Sequence, residues 1–517
     1  MTFPNNQAMR NFQSAFFARF RNCAAHLAVK PERADAVFVF ALFAAGFLIR
    51  LWGMSKNHSW DEMVYLQNAK VICCGKINYS ELDFRPPLLS LIFAGVFLVW
   101  QHVFAASIVT ACMNALGPIF LFFAGRSSVG RLPATLASLL LAFSPFFVGV
   151  FPQGFVSDDT GNSLLTDSPA LTLVLLSLWL LLRALERPTV YRLSGAGFVL
   201  ALCILMRFGS IPSVGILLLL PLMAGNRWKA IIVCVFGMAT GIGPYLFWSK
   251  LRYGELLFTL RAGWANVEGP TEPFTFFLRN APTIFTPVVV IGLMLFLIYQ
   301  LSHLGRAIHS VHDARTHAAS TLNQRSFDAY LWLWLLAGLV FFSLMPHKEP
   351  RYILPLAPPV LLLASSGLCL FTQLPNKSQR VAGAVLLGTV LLITFLPLRE
   401  RISKRFVNTA STDQELASRF LESSVPADTT LYMSFNYPAF AYYTNFRIHE
   451  LSSVGPALYR DMSKIPPGEI LVVYREAEDA SQSDIAWVDA NRKFERLRDY
   501  PSLVIFRSVD APEPAGR

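Results

Sequence analysis

The sequence predicts an all-α polytopic membrane protein of about 11 transmembrane helices, with a small C-terminal α/β domain outside the membrane. Three observations carry that expectation. Of 517 residues, 54% are hydrophobic and only 15% are charged, whereas soluble chains carry about 25% charged residues. Apolar runs near the bilayer-spanning length of about 20 residues recur from residue 35 to residue 398. Beyond residue 399 those runs stop, and helical stretches alternate with strand-like ones. This composition excludes a disordered chain and disfavours a soluble multidomain enzyme. The net charge of +11 fits Lys and Arg collected in cytoplasmic loops better than a nucleic-acid surface.

Residues 1–34 are basic and mildly amphipathic, with no cleavable signal, and read as a cytoplasmic segment. Spans are expected near 35–53, 104–125, 132–151, 168–184, 193–210, 211–225, 230–250, 282–302, 328–345, 352–371 and 380–398. Leu88–Trp100 is apolar but short and ends in Gln101-His102; it reads as an interfacial or re-entrant helix, or as a twelfth span. With eleven spans and the N-terminus inside, the inner segments hold 17 Lys/Arg against three acids, and the outer loops 11 against 11. That asymmetry supports the orientation. It makes 35–398 the transmembrane catalytic domain, 54–103 its first outer loop, and 399–517 an extracytoplasmic domain. In the last, Thr412–Ser423 reads as helix, and Thr430–Phe435, Ile470–Tyr474 and Ser502–Phe506 as strands.

The seven cysteines have no metal-binding spacing; Cys112, Cys203, Cys234 and Cys369 lie in apolar runs and read as core residues. Cys73 and Cys74 are adjacent, a spacing that rarely forms a bridge.

The polar clusters fall on one face under this topology. The first loop carries His58-Ser-Trp-Asp61-Glu62-Met-Val-Tyr65 and Asp83-Phe-Arg85-Pro86-Pro87-Leu88; the second ends Thr166-Asp167-Ser-Pro169. Arg207 surfaces after the fifth span, and Pro346-His347-Lys348-Glu349-Pro350-Arg351-Tyr352 joins the ninth and tenth. Each has a plainer explanation. Asp61 and Glu62 fit a solvated loop, Asp167 a helix cap, Arg207 a snorkelling side chain, and the last segment a polar turn. Convergence on one membrane face weighs against four separate plain explanations.

Taken together, Trp60-Asp61-Glu62-x-x-Tyr65, Arg85-Pro86-Pro87-Leu88 and Thr166-Asp167-x-Pro169 resemble the GT-C fold membrane glycosyltransferases. The nearest group holds the protein O-mannosyltransferases and the aminoarabinose transferases of lipid A (glycosyltransferase family 39-like). His347-Lys348-Glu349-Pro350-Arg351-Tyr352 is similar to the HKExRF segment of lipid-linked α-mannosyltransferases. The resemblance covers residues 35–400, although His58-Ser-Trp-Asp61 departs from the His-Pro-Asp-Glu form. It implies a polyprenyl-monophosphate sugar donor and transfer, with inversion, to a lipid, glycan or protein hydroxyl on the outer face. It also implies no required cofactor. The sugar is left open between mannose and another hexose or pentose. The lack of long lumenal insertions points to a bacterial inner membrane.

The residue types suit that chemistry independently. A phosphate leaving group is stable as an anion and needs hydrogen-bond donors rather than an acid. Arg85, Arg207, His347, Lys348 and Arg351 are available, and Arg can hold two phosphate oxygens. One carboxylate suffices as base, with Asp61 the first choice and Glu62 the second. Asp167, Tyr65 and Glu349 are assigned to positioning the acceptor or the loops. A divalent metal shared by Asp61 and Asp167 is chemically conceivable. The competing class is a transporter or flippase of envelope precursors, which would place its binding residues near the midplane.

Overall fold

The computed structural model describes residues 33–52, 58–148, 164–223, 228–265, 271–308, 324–373 and 412–510, apart from Ile77, 453–454 and 476–479, together with parts of 376–395. Seven described helices are long and apolar enough to cross a membrane: Arg33–Trp52, Val103–Ser128, Asp167–Glu186, Trp228–Tyr253, Phe276–Ser302, Ser326–Leu344 and the broken helix Pro350–Thr372. Shorter apolar helices cover Leu88–Phe97, Arg131–Phe143, Val190–Met206 and Phe208–Met223. Ten of the eleven expected spans thus carry a helix in register. The eleventh is only partly described, and its described residues from 378 to 395 are helical.

Local chemistry explains the departures. Arg131–Phe143 stops short of residue 151 because Ser144 turns to an extended conformation before Pro145, which opens a 3-10 turn. Leu88–Phe97 has ten residues, a rise of about 15 Å, half of the roughly 30 Å hydrocarbon core. By length it fits the interfacial or re-entrant reading, and it packs Leu89, Phe93 and Phe97 against Met63, Leu66 and Ala69 of the helix Trp60–Cys74. The first loop is therefore a pair of short helices rather than an irregular excursion.

The bundle core is drawn from the helices beginning at Val103, Arg131, Asp167, Val190, Ile211, Trp228, Phe276, Gln324 and Ala357. Val190–Met206 and Trp228–Tyr253 touch backbone to backbone. A Cβ on Gly197 would lie 1.9 Å from the Cys234 carbonyl oxygen, and one on Gly237 would lie 2.1 Å from that of Ser194. Small residues at such crossings allow the close approach that membrane helices use for packing.

Residues 412–510 form the expected α/β domain. Its five strands are β1 (Thr430–Met433), β2 (Arg447–Glu450), β3 (Ile470–Tyr474), β4 (Phe494–Asp499) and β5 (Leu503–Ser508), in the order β2-β1-β3-β5-β4. β1 runs parallel to β2 and β3, and β5 antiparallel to β3 and β4. Strand alternation divides the sheet's two faces. Ile470, Val472 and Tyr474 pack with Leu421 and Phe440, while Leu471 and Val473 pack with Leu458 and Val488.

The short helix Tyr437–Tyr443 of this domain docks on Trp60–Cys74. Trp60 meets Tyr437 edge-on at 4.2 Å between ring centroids. Lys70 and Lys76 both donate to the Tyr442 carbonyl, at 2.9 and 2.7 Å. Asn78 donates to the carbonyls of Ala441, Thr444 and Phe446. Between those lysines Cys73 and Cys74 form a disulfide, correcting the expectation from their spacing. The left-handed Gly75 (φ 67°) ends the helix directly after the pair and lets the chain turn back there.

Candidate active site

The helix Trp60–Cys74 brings two neighbouring acids into different company. Glu62 is a capping residue. Its carboxylate accepts the Ser59 N–H at 2.7 Å and the Leu164 N–H at 2.7 Å, with His58 Nδ1 at 3.6 Å. It ties the start of the first-loop helix to the end of the second loop. Burial pushes its pKa up, but His58, Leu164 and Ser59 together hold it below the usual carboxylate value.

Asp61 faces arginines. Arg85 Nη2 lies 2.7 Å from Oδ1 and Arg351 Nη2 lies 3.3 Å from Oδ2. Burial again acts to raise the carboxyl pKa, and Arg85, Arg351 and the more distant Arg207 overcome it. The net result is an acid held ionised.

Each arginine is held from behind by another carboxylate. Arg85 Nε donates to Glu81 at 2.9 Å, and Tyr79 in turn hydrogen-bonds Glu81. Despite burial, Asp61 and Glu81 keep the Arg85 guanidinium charged, raising its pKa. Arg207, at the C-cap of Val190–Met206, lies 2.7 Å from Asp167 at the start of the next wall. Its guanidinium also sits 5.4 Å from the centre of the Tyr352 ring. Arg351 donates to Glu349, which further engages His347 Nε2 at 3.1 Å and accepts from the Tyr352 hydroxyl at 3.2 Å. Burial favours protonation of Glu349, yet Arg351 and His347 keep its pKa below the ordinary value.

Asp61, Arg85, Asp167, Arg207, His347, Glu349 and Arg351 therefore form one connected cluster, fed by four separate stretches of chain. Tyr65 lies beside it, buried; burial raises its pKa, with the Thr166 side chain acting the other way. Lys348 does not join. Its ammonium donates to the carbonyls of Glu272 and Met345, at 2.7 and 2.5 Å, and pins the loop where His347 pairs with Thr271. Lys348 and Arg351 stand three residues apart, a spacing that would bring both to one face of a helix. The residues between them are instead extended at Glu349 and only enter a 3-10 turn at Pro350. Asp61 and Asp167, considered together for a metal, are each met by guanidinium groups instead.

Glu81, Tyr79 and Tyr352 were not singled out from the sequence. Glu81 precedes Arg85 by four residues, a spacing that offers pairing, and Tyr352 sits inside the segment already marked.

The model of the Alg9-like mannosyltransferase family matches residues 36–413, more than half of the chain and all of the cluster. The chain belongs to the Alg9-like mannosyltransferase family. It is a multi-pass membrane glycosyltransferase with the GT-C fold. Among solved structures it is similar to ArnT from Cupriavidus metallidurans bound to undecaprenyl phosphate, with TM-score 0.62 and 13% identity over 92% of this chain and 99% of that one. The apo state of the same protein gives TM-score 0.60 over 92% and 98%, at 13% identity. The archaeal oligosaccharyltransferase AglB from Archaeoglobus fulgidus, in complex with an inhibitory peptide and a dolichol-phosphate, gives TM-score 0.50 and 11% identity over 80% and 64%. Among curated protein sequences there is no match. Family membership follows the His347–Tyr352 resemblance, while ArnT shares the wider architecture. Both sister groups seen in the motifs are thus represented.

Proposed function

We propose that this family member transfers a sugar, mannose in the first instance, from a polyprenyl-monophosphate donor to a hydroxyl acceptor, inverting the anomeric carbon. The observation that carries the reading is Asp61 set between Arg85 and Arg351, 2.7 and 3.3 Å away: one base beside the cations that a departing phosphate needs. The acceptor oxygen attacks the anomeric carbon and passes its proton to Asp61. The bond from that carbon to the phosphate oxygen breaks, and the polyprenyl phosphate leaves with the electron pair. Arg351, Arg85, Arg207 and His347 receive the growing negative charge. Glu62, Tyr65, Asp167 and Glu349 position the loops and the arginines. The polyprenyl phosphate and dolichol-phosphate in the ArnT and AglB structures support that donor class.

The reaction takes place on the outer face of a bacterial inner membrane, on a lipid, glycan or protein acceptor. The charge asymmetry of the loops supports this sidedness, as does a disulfide in the first loop, since disulfides persist in oxidising compartments. Purified protein should convert radiolabelled polyprenyl-phosphate mannose, given an envelope lipid extract, to a labelled product; cells lacking the gene should lose one envelope glycan by mass spectrometry. No product with any polyprenyl-phosphate hexose or pentose would overturn the reading. Single cysteines at Arg187 and Ser463 should label from opposite sides of the membrane; labelling from the same side would overturn the sidedness.

A further inference from the structure

At the far end of the helix that begins with Asp167 there is a cavity. It has a volume of about 820 Å³ and lies between the C-terminal half of Asp167–Glu186 and the start of Val190–Met206. The Asp167–Glu186 helix has 20 residues, so about 30 Å separates its ends, the thickness of the hydrocarbon core. The cavity therefore opens at the leaflet opposite the arginine cluster.

Its lining is divided by chemistry. Arg183, Arg187 and Arg192 line it with Glu186 as the one acid, beside the buried Ala184 and Ala196 and the exposed Gly195. Arg183 pairs with Glu186 at 3.0 Å. The Arg192 guanidinium donates to the Arg187 carbonyl, at 3.4 Å, and among the described residues neither Arg187 nor Arg192 has a carboxylate partner. Trp179 forms one apolar side, fixed by near-parallel contacts with Phe120 and Phe123 at 5.8 and 5.6 Å. Unpaired guanidiniums above an apolar slot at headgroup depth match an anion that carries a hydrocarbon tail.

We propose that this cavity binds the phosphate headgroup of an anionic phospholipid from the leaflet opposite the active site, with Arg187 and Arg192 as the phosphate donors and an acyl chain along Gly195 and Trp179. Its size falls within the range of small-molecule sites. Each juxtamembrane cation contributes about 1 kcal/mol toward an anionic lipid surface, so removing two should weaken binding about thirtyfold.

The test uses the full chain in detergent, with native mass spectrometry and thermal unfolding as readouts. Phosphatidylglycerol should stay bound and raise the unfolding temperature, while phosphatidylcholine at the same concentration should not. The double variant Arg187→Gln/Arg192→Gln should lose both effects. Gly195→Leu should lose them without removing any charge, because a Cβ there meets nothing within 4 Å and the larger side chain fills the slot. Equal stabilisation of wild type and both variants by phosphatidylglycerol would overturn the proposal. So would full stabilisation by inorganic phosphate alone, which would make the site a free-anion site without a lipid tail.

Discussion

Arginine–aspartate pairs occur at the mouth of the bundle and on the C-terminal sheet, and their surroundings separate them. On the sheet, Arg496 pairs with Asp489 and Asp499, with side chains 39–45% exposed. At the cluster, Arg351 and Arg85 are 14% and 23% exposed against Asp61 at 25%, although these two guanidiniums, like that of Arg496, each meet two carboxylates. Exposed pairs are screened by water and contribute about 0–1 kcal/mol. Half-buried ones act over a lower dielectric, so a cation there loses more by being unpaired and gains more from a new anion. The same two residue types are surface decoration in one place and, on the proposed reading, a phosphate receiver in the other.

Several substitutions break or sharpen that contrast. The largest effect is expected from Asp61→Asn, which should lower transfer by about 10²–10⁴-fold, measured as product from labelled donor. The fold should survive, since Arg85 keeps Glu81 and Arg351 keeps Glu349. Near-normal turnover would remove Asp61 as the base.

Arg351→Ala comes next, with most activity lost and donor affinity down. Arg351→Lys should restore only part of it, because a lysine keeps the charge but not the two-toothed geometry. Full rescue by lysine would mean that charge alone matters at this position.

Glu81→Gln should lower kcat several-fold while the protein remains folded, and should shift the acid limb of the rate–pH profile. Arg85 would then lean wholly on Asp61 and depress its pKa further. In the native protein Asp61 is already held below the ordinary carboxylate value, so the acid limb of kcat/KM should lie below that of an ordinary carboxylate. A bound donor phosphate raises the pKa of the neighbouring carboxylate, so the acid limb of kcat should lie at higher pH than that of kcat/KM. The reverse order would count against a phosphate beside Asp61.

Lys348→Met should cost roughly 1–3 kcal/mol of stability, from the two carbonyls it leaves unpaired, and little donor affinity. Arg496→Gln should change the unfolding temperature least of all and leave transfer untouched. A large loss of transfer in Arg496→Gln would erase the distinction between the two settings.

Much of this was readable in the sequence because hydrophobicity is a local signal. The apolar runs predicted ten helices in register, and sidedness alone placed Asp61, Arg85, Asp167, Arg207 and Arg351 on one face. What escaped depends on contacts between distant stretches. Glu62 is bound by Leu164, 102 residues away, so nothing local distinguishes it from Asp61. Lys348 turns away because Glu349 is extended, a conformation that residue spacing does not reveal. In the C-terminal domain β1, β3 and β5 were legible from their apolar residues. β2 and β4 are edge strands with mostly exposed side chains, where charge replaces the apolar pattern.

On the proposed reading, the arginines facing Asp61 exchange part of their pairing for the donor phosphate. Equilibrium binding of a labelled polyprenyl monophosphate, without acceptor, tests it most directly in wild type, Asp61→Asn and Arg351→Ala. Removing the Asp61 charge relieves its repulsion of the phosphate, so Asp61→Asn should bind as tightly as wild type or more tightly, although it cannot turn over. Arg351→Ala should bind at least tenfold more weakly, about the loss of one charge-assisted hydrogen bond. Weaker binding in Asp61→Asn together with unchanged binding in Arg351→Ala would contradict the account.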